Sequence, residues 1–148
     1  MKRFFLVIPN WTLSILGTLL VSYLSLAHDP FNLSRLHLFL SADKLAHFAM
    51  YFVLNAIYIF EYAKFVMPHH TRLNKELAIT TWSALFGGFM EIGQLIMRNG
   101  RCFDYDDWIA DALGAIVAFI VIRKWLMKHF RKTFCHSVMR RKHRRSRK

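Results

Sequence analysis

From Phe4 to Leu26 the chain runs 23 residues without a charged side chain. At 1.5 Å per residue a helix of that length crosses the ~30 Å hydrocarbon core of a bilayer, where each backbone polar group must be satisfied within the structure. Few folds accommodate such a run, and three more apolar runs occur at about 45–67, 77–97 and 108–126. The sequence therefore predicts an all-α polytopic membrane protein, a bundle of four transmembrane helices within 1–127, followed by a basic tail over 128–148. Composition agrees, since 55% of the 148 residues are hydrophobic against roughly 45–50% in soluble domains. Pro9 and Asn10 near the start of the first run fit a first helical turn, whose N–H groups have no partner within the helix. A secretory signal is the competing reading, because Ser25-Leu26-Ala27 fits a small-residue cleavage site. The run exceeds the roughly 7–15 apolar residues of a signal core, and either way the chain beyond Ala27 emerges on the same side.

The formal net charge of +12 belongs to the tail: 12 of the 21 Lys and Arg lie at or beyond Arg123, in a segment without an acid. That tail has few aromatics to stack on bases, so no nucleic-acid partner is expected; polybasic segments after a span attract anionic cytoplasmic lipids. Four spans put both termini on one side, and the positive-inside rule identifies it. Both termini inside gives 17 basic residues on the cytoplasmic face and leaves Arg35, Lys44, Arg98 and Arg101 outside. Seven of the nine acids then fall on the outer side, leaving Glu61 and Glu76 inside. Cys102 and Cys135 lie on opposite sides, so no disulfide within the chain is expected, and no Cys-based metal spacing occurs.

Polar residues concentrate between Glu91 and Gly114, and helical spacing carries them onto particular faces. Asp43, His47, Tyr51 and Asn55 recur every four residues on the second run, with the helix start at Ser41 or Ala42. Gly87, Glu91 and Gln94 share a face of the third, where Gly87-Gly88 lets a neighbouring helix approach. Asp104, Asp107, Asp111 and Gly114 form a face of the fourth if that helix starts early. All three faces meet at the outer leaflet. Residues 28–42 read as an interfacial segment, and Trp108 and Trp125 as interface anchors. Ionisable groups in lipid are costly, so Glu91 and Asp111 should face the bundle, with Arg98 or Arg101 close enough in sequence to neutralise Glu91. The simplest use of these groups is to lock helices together by hydrogen bonds. A bundle needing only that could use Ser, Thr or Asn, and the convergence of ionisable groups at one end points to a ligand-engaging pocket.

Three ordered blocks, Asp43-Lys44-x-x-His47-Phe48-x-x-Tyr51, Glu91-x-x-Gln94 and Arg101-x-Phe103-Asp104-x-x-Asp107-x-x-x-Asp111-x-x-Gly114-Ala115, resemble the VanZ-like family of small bacterial integral membrane proteins. The resemblance covers roughly residues 40 to 122 and implies a multi-span protein of the bacterial cytoplasmic membrane. The family is named after an accessory factor that lowers susceptibility to the glycopeptide teicoplanin. Asp111 departs from the pattern, which usually has Asn there, and adds a possible charge.

The ligand-binding candidates are Asp43, Lys44, His47, Tyr51, Glu91, Gln94, Arg101, Asp104, Asp107 and Asp111. In the first reading they hold a lipid-linked cell-wall precursor or a glycopeptide group, with Lys44 and Arg101 taking an anionic head group and the acids meeting cationic or hydroxyl groups. In the second, the protein is an enzyme acting on an envelope lipid, with His47 as general acid or base oriented by Asp43 and with Glu91 as a second catalytic candidate. No nucleophile elbow, His-Glu-x-x-His or paired phosphatase motif accompanies them. Asp104, Asp107 and Glu91 could take a hard cation, but without the spacing of a dedicated calcium loop no metal or cofactor is expected. Proton-coupled transport ranks last, because four short helices rarely alternate access alone.

Overall fold

The computed structural model describes residues 9–26, 42–66, 72–97 and 104–126. They form four α-helices, α1 (Thr12–Leu26), α2 (Ala42–Val66), α3 (Leu73–Ile96) and α4 (Tyr105–Val121), and α4 continues into a π-helical turn over Ile122–Leu126. No strand occurs among the described residues, so the chain is all-α there. Among the described residues one helix, over Asp43–Val66, is long and apolar enough by itself to cross a membrane, while α1 is apolar but has 15 residues. The segments 28–41, His69-His70, Arg98, Arg101, Cys102, Cys135 and the basic tail lie outside the described residues.

Three helix starts depart from the apolar runs, each for a reason of polar satisfaction. Trp11 sits at φ 73°, in the left-handed region, so the chain turns sharply before α1, which begins at Thr12 rather than within the first turn after Phe4. The Glu61 carboxylate, from the far end of α2, accepts the N–H groups of Leu13 at 3.3 Å and Ser14 at 2.9 Å. It therefore caps α1 from another helix, satisfying donors that a helix start leaves open. Helix α3 begins at Leu73, four residues before the apolar run, and takes Glu76 into its first turn, where an acid is favoured by the helix dipole. Arg123 donates to the fully buried Glu76 carboxylate. Helix α4 begins at Tyr105 because Asp104 caps it, accepting the Asp106 N–H at 2.9 Å.

These contacts fix an up-down-up-down bundle. The start of α1 meets the end of α2 through Glu61, and the start of α3 meets the end of α4 through Glu76 and Arg123. At the opposite end, Gln94 of α3 donates to the Ser25 carbonyl of α1 at 2.7 Å, and Lys44 of α2 reaches Asp107 of α4. Helices α2 and α4 form the most extensive pair. They pass so closely that a Cβ at Gly114 would lie 2.3 Å from the Phe48 carbonyl oxygen. Asn55, fully buried, ties three helices by donating to Thr80 at 3.2 Å and to the Ala115 carbonyl at 2.7 Å.

The interior is unusually polar. Ser14, His47, Asn55, Glu61, Glu76, Thr80, Ser83, Glu91, Gln94, Asp107 and Asp111 are buried, beside a small apolar cluster of Val21, Tyr51 and Leu54. The outside carries large apolar side chains, among them Leu16, Leu19, Leu20, Trp82, Phe89, Ile96, Ile109 and Ile120. Gly114→Ala should destabilise the bundle by about 1–3 kcal/mol, because backbone rather than a movable side chain opposes the new methyl. Gly93→Ala, whose Cβ would meet only Leu26 Cδ2 at 3.3 Å, is the control. Thermal unfolding of the purified proteins in one detergent should show a clear fall in Tm for the first and little change for the second.

Candidate functional site

The polar end of the bundle is built from the first turns of α2 and α4 and the last turns of α3. Two clusters lie there. In the outer one, Lys44 faces three aspartates from the start of α4: its Nζ lies 3.3 Å from Asp107, where it donates a hydrogen bond, 3.3 Å from Asp106 and 3.5 Å from Asp104. The cluster is possible because α4 starts early, so its cap and first turn present carboxylates toward the lysine. Asp104 is held below the usual carboxylate range, first by the Asp106 N–H that its side chain accepts and then by Lys44.

The inner cluster is buried. His47 Nδ1 lies 3.0 Å from Asp111 Oδ1 and 4.0 Å from Glu91 Oε1, joining α2, α4 and α3. His47, Glu91 and Asp111 are 5%, 1% and 0% exposed, which makes each dependent on the others for polar contact. Glu91 Oε2 accepts the Asp104 N–H at 3.4 Å, so the two clusters are linked through backbone. Gly87 makes room for Asp111: a Cβ there would come within 2.6 Å of Asp111 Oδ2. Tyr51, one turn beyond His47, is fully buried. Among the described residues, neither the Tyr51 hydroxyl nor Glu91 Oε1 has a hydrogen-bond partner.

Of the ten residues singled out from sequence, Lys44, His47, Tyr51, Glu91, Asp104, Asp107 and Asp111 come together here, and Asp43 stands exposed beside them. Gln94 does not join the cluster; its amide is committed to the Ser25 carbonyl. Arg101 lies outside the described residues. His47 Nδ1 is in hydrogen-bond contact with Asp111 across the α2–α4 crossing, while Asp43, a turn earlier on α2, has a carboxylate oxygen within 4.8 Å of a His47 ring nitrogen. Lys44 is engaged by aspartates, so the groups the described cluster presents are mainly carboxylates. Asp106, which carries no signal of its own in the sequence, contributes one of them. Trp108, read as an interface anchor, also ties α4 to α3 by donating to the Ala84 carbonyl at 3.0 Å.

Two sets of side chains have donor atoms within 4.8 Å of one another, Asp43 with His47 and Asp107, and His47 with Glu91 and Asp111. The oxygen set suggested by the sequence, Asp104, Asp107 and Glu91, is not among them.

Asp104→Ala should cost about 0.5–2 kcal/mol at neutral pH through loss of the α4 cap. Because the folded-state pKa of Asp104 is depressed, its stabilisation is present above the ordinary aspartate value of 3.8 and is lost as pH falls below it. The stability difference between wild type and Asp104→Ala, followed by chemical denaturation, should therefore close as pH is lowered through that range.

No curated protein and no solved structure matches the chain significantly. A protein-family model described as VanZ/LLP1 does, over residues 4–128, which takes in all four helices and both polar clusters. The chain therefore belongs to the VanZ/LLP1 family.

Proposed function

We propose that the chain is an integral membrane protein of the bacterial cell envelope. It crosses the cytoplasmic membrane four times with both termini inside, and its polar end lies at the outer leaflet. The observation that carries the membrane reading is the inversion of the bundle, with ionisable and amide groups buried and leucine, isoleucine, phenylalanine and tryptophan side chains outside. Water would leave that surface a large apolar patch, whereas lipid matches it. The charge asymmetry of the sequence supports the orientation.

The polar end binds or modifies an envelope lipid or a glycopeptide group. The family association with teicoplanin resistance points to such molecules, and the buried Glu91 Oε1 and Tyr51 hydroxyl supply polar atoms for one. With Lys44 held by three aspartates, amine or hydroxyl groups suit the carboxylates, and an anionic group falls to Arg101. The His47–Asp111 pair favours one second reading: an imidazole oriented by a buried carboxylate is equipped for general acid-base chemistry on a bound lipid.

Two measurements test this. Cys102 should react with a membrane-impermeant thiol reagent in intact cells, after permeabilising any outer membrane, and Cys135 should not; the opposite pattern ends the orientation. Protein purified in native lipid should retain a ligand detectable by mass spectrometry, with retention falling in Glu91→Gln and Arg101→Ala. Equal retention in both variants, with unchanged thermal stability, removes the binding reading. Turnover of a retained lipid that stops in His47→Ala selects the enzyme.

A further inference from the structure

We propose that His47, Glu91 and Asp111 form a binding site for a divalent transition-metal ion, with zinc the best fit. Three donor atoms, one imidazole nitrogen and two carboxylate oxygens, converge from three helices within 4.8 Å of one another, and all three residues are buried. Zinc–nitrogen and zinc–oxygen bonds of about 2.0–2.2 Å put tetrahedral donors about 3.4 Å apart. The observed separations from His47 Nδ1, 3.0 Å to Asp111 and 4.0 Å to Glu91, straddle that value. Small side-chain shifts close the difference.

Charge supports the same assignment. As ligands, a neutral imidazole and two ionised carboxylates would carry two negative charges, which an ion of charge +2 balances. Among the described residues the nearby cation, Lys44, is engaged with Asp104, Asp106 and Asp107. Glu91 Oε1, Asp111 Oδ2 and the hydroxyl of Tyr51, one turn beyond His47, are all buried without a hydrogen-bond partner among the described residues. Glu91 is steadied through its second oxygen by the Asp104 N–H, the kind of outer support that metal ligands use.

A route in is built from the same residues. The second donor set shares His47 and adds Asp107 and the exposed Asp43, so carboxylates lead from the surface to the buried trio. One nitrogen and two carboxylates suit zinc, manganese or iron, whereas calcium prefers six to eight oxygens. Three protein ligands leave coordination open for an outside group, as in catalytic rather than structural zinc sites.

The test uses the full chain, purified in detergent, stripped with a chelator, equilibrated with zinc and desalted before elemental analysis. Wild type should hold about one zinc per chain, and its Tm should rise with added zinc. His47→Ala and Asp111→Asn should hold at least about tenfold less, in line with loss of a metal ligand. The Cys102→Ser/Cys135→Ser double variant should bind as wild type does; loss there would assign the ion to thiols and overturn the site. Wild-type protein with no bound zinc and no Tm shift, or with calcium bound in preference to zinc, also overturns it. So does zinc content unchanged in His47→Ala. Zinc content and lipid retention are separate readouts, so either can fail with the other intact.

Discussion

The close passage of Gly114 beside the Phe48 carbonyl sets the spacing on which the polar end depends. A side chain at Gly114 would push α2 and α4 apart, and the 3.0 Å contact between His47 and Asp111 would lengthen with them. Gly87 performs the matching service on α3, leaving the volume that the Asp111 carboxyl fills. Small residues at helix contacts commonly serve packing alone. Here their positions, a turn from the ionisable groups, also determine which polar atoms meet.

Polar groups at the two ends of the bundle are used differently. Glu61 and Glu76 each have a single task, one capping α1 and the other pairing with Arg123 through one of its two oxygens. At the opposite end Lys44 is shared by three aspartates and His47 by two carboxylates, so acids outnumber cations among the described residues. The first pattern is what structural stability needs, because each buried charge has one fitted partner. The second has carboxylate capacity beyond what its own cations use.

Much of the helix content was legible in the sequence because a 3.6-residue period writes itself into spacing. Asp43, His47, Tyr51 and Asn55 share a face for that reason alone. The sequence could place Asp111 on a face of α4 but could not choose its partner, since register between helices is set by packing. Asp43, four residues from His47, is the candidate visible in the sequence, and the crossing at Gly114 adds Asp111 at 3.0 Å. Gln94 shows the same effect: its face was legible, while its commitment to Ser25 depended on where α1 ends. Asp104 as a cap was conditionally readable, because Asp before a helix carries its own local signal. Glu61 had no such signal, since its helix start lies 47 residues earlier in the chain.

That separation bears on the order in which the bundle assembles. A capping residue adjacent to its helix is present as soon as the helix is made, but α1 is synthesised long before Glu61. Until the last turns of α2 arrive, the Leu13 and Ser14 N–H groups are without the partner they have in the folded bundle. The start of α1 is thus settled late, by docking of a finished α2. Trp11 packs on Phe65 at 5.8 Å beside the same junction, so an aromatic latch closes with the carboxylate. The beginning of α1 is then defined by a residue that follows it by 47 positions.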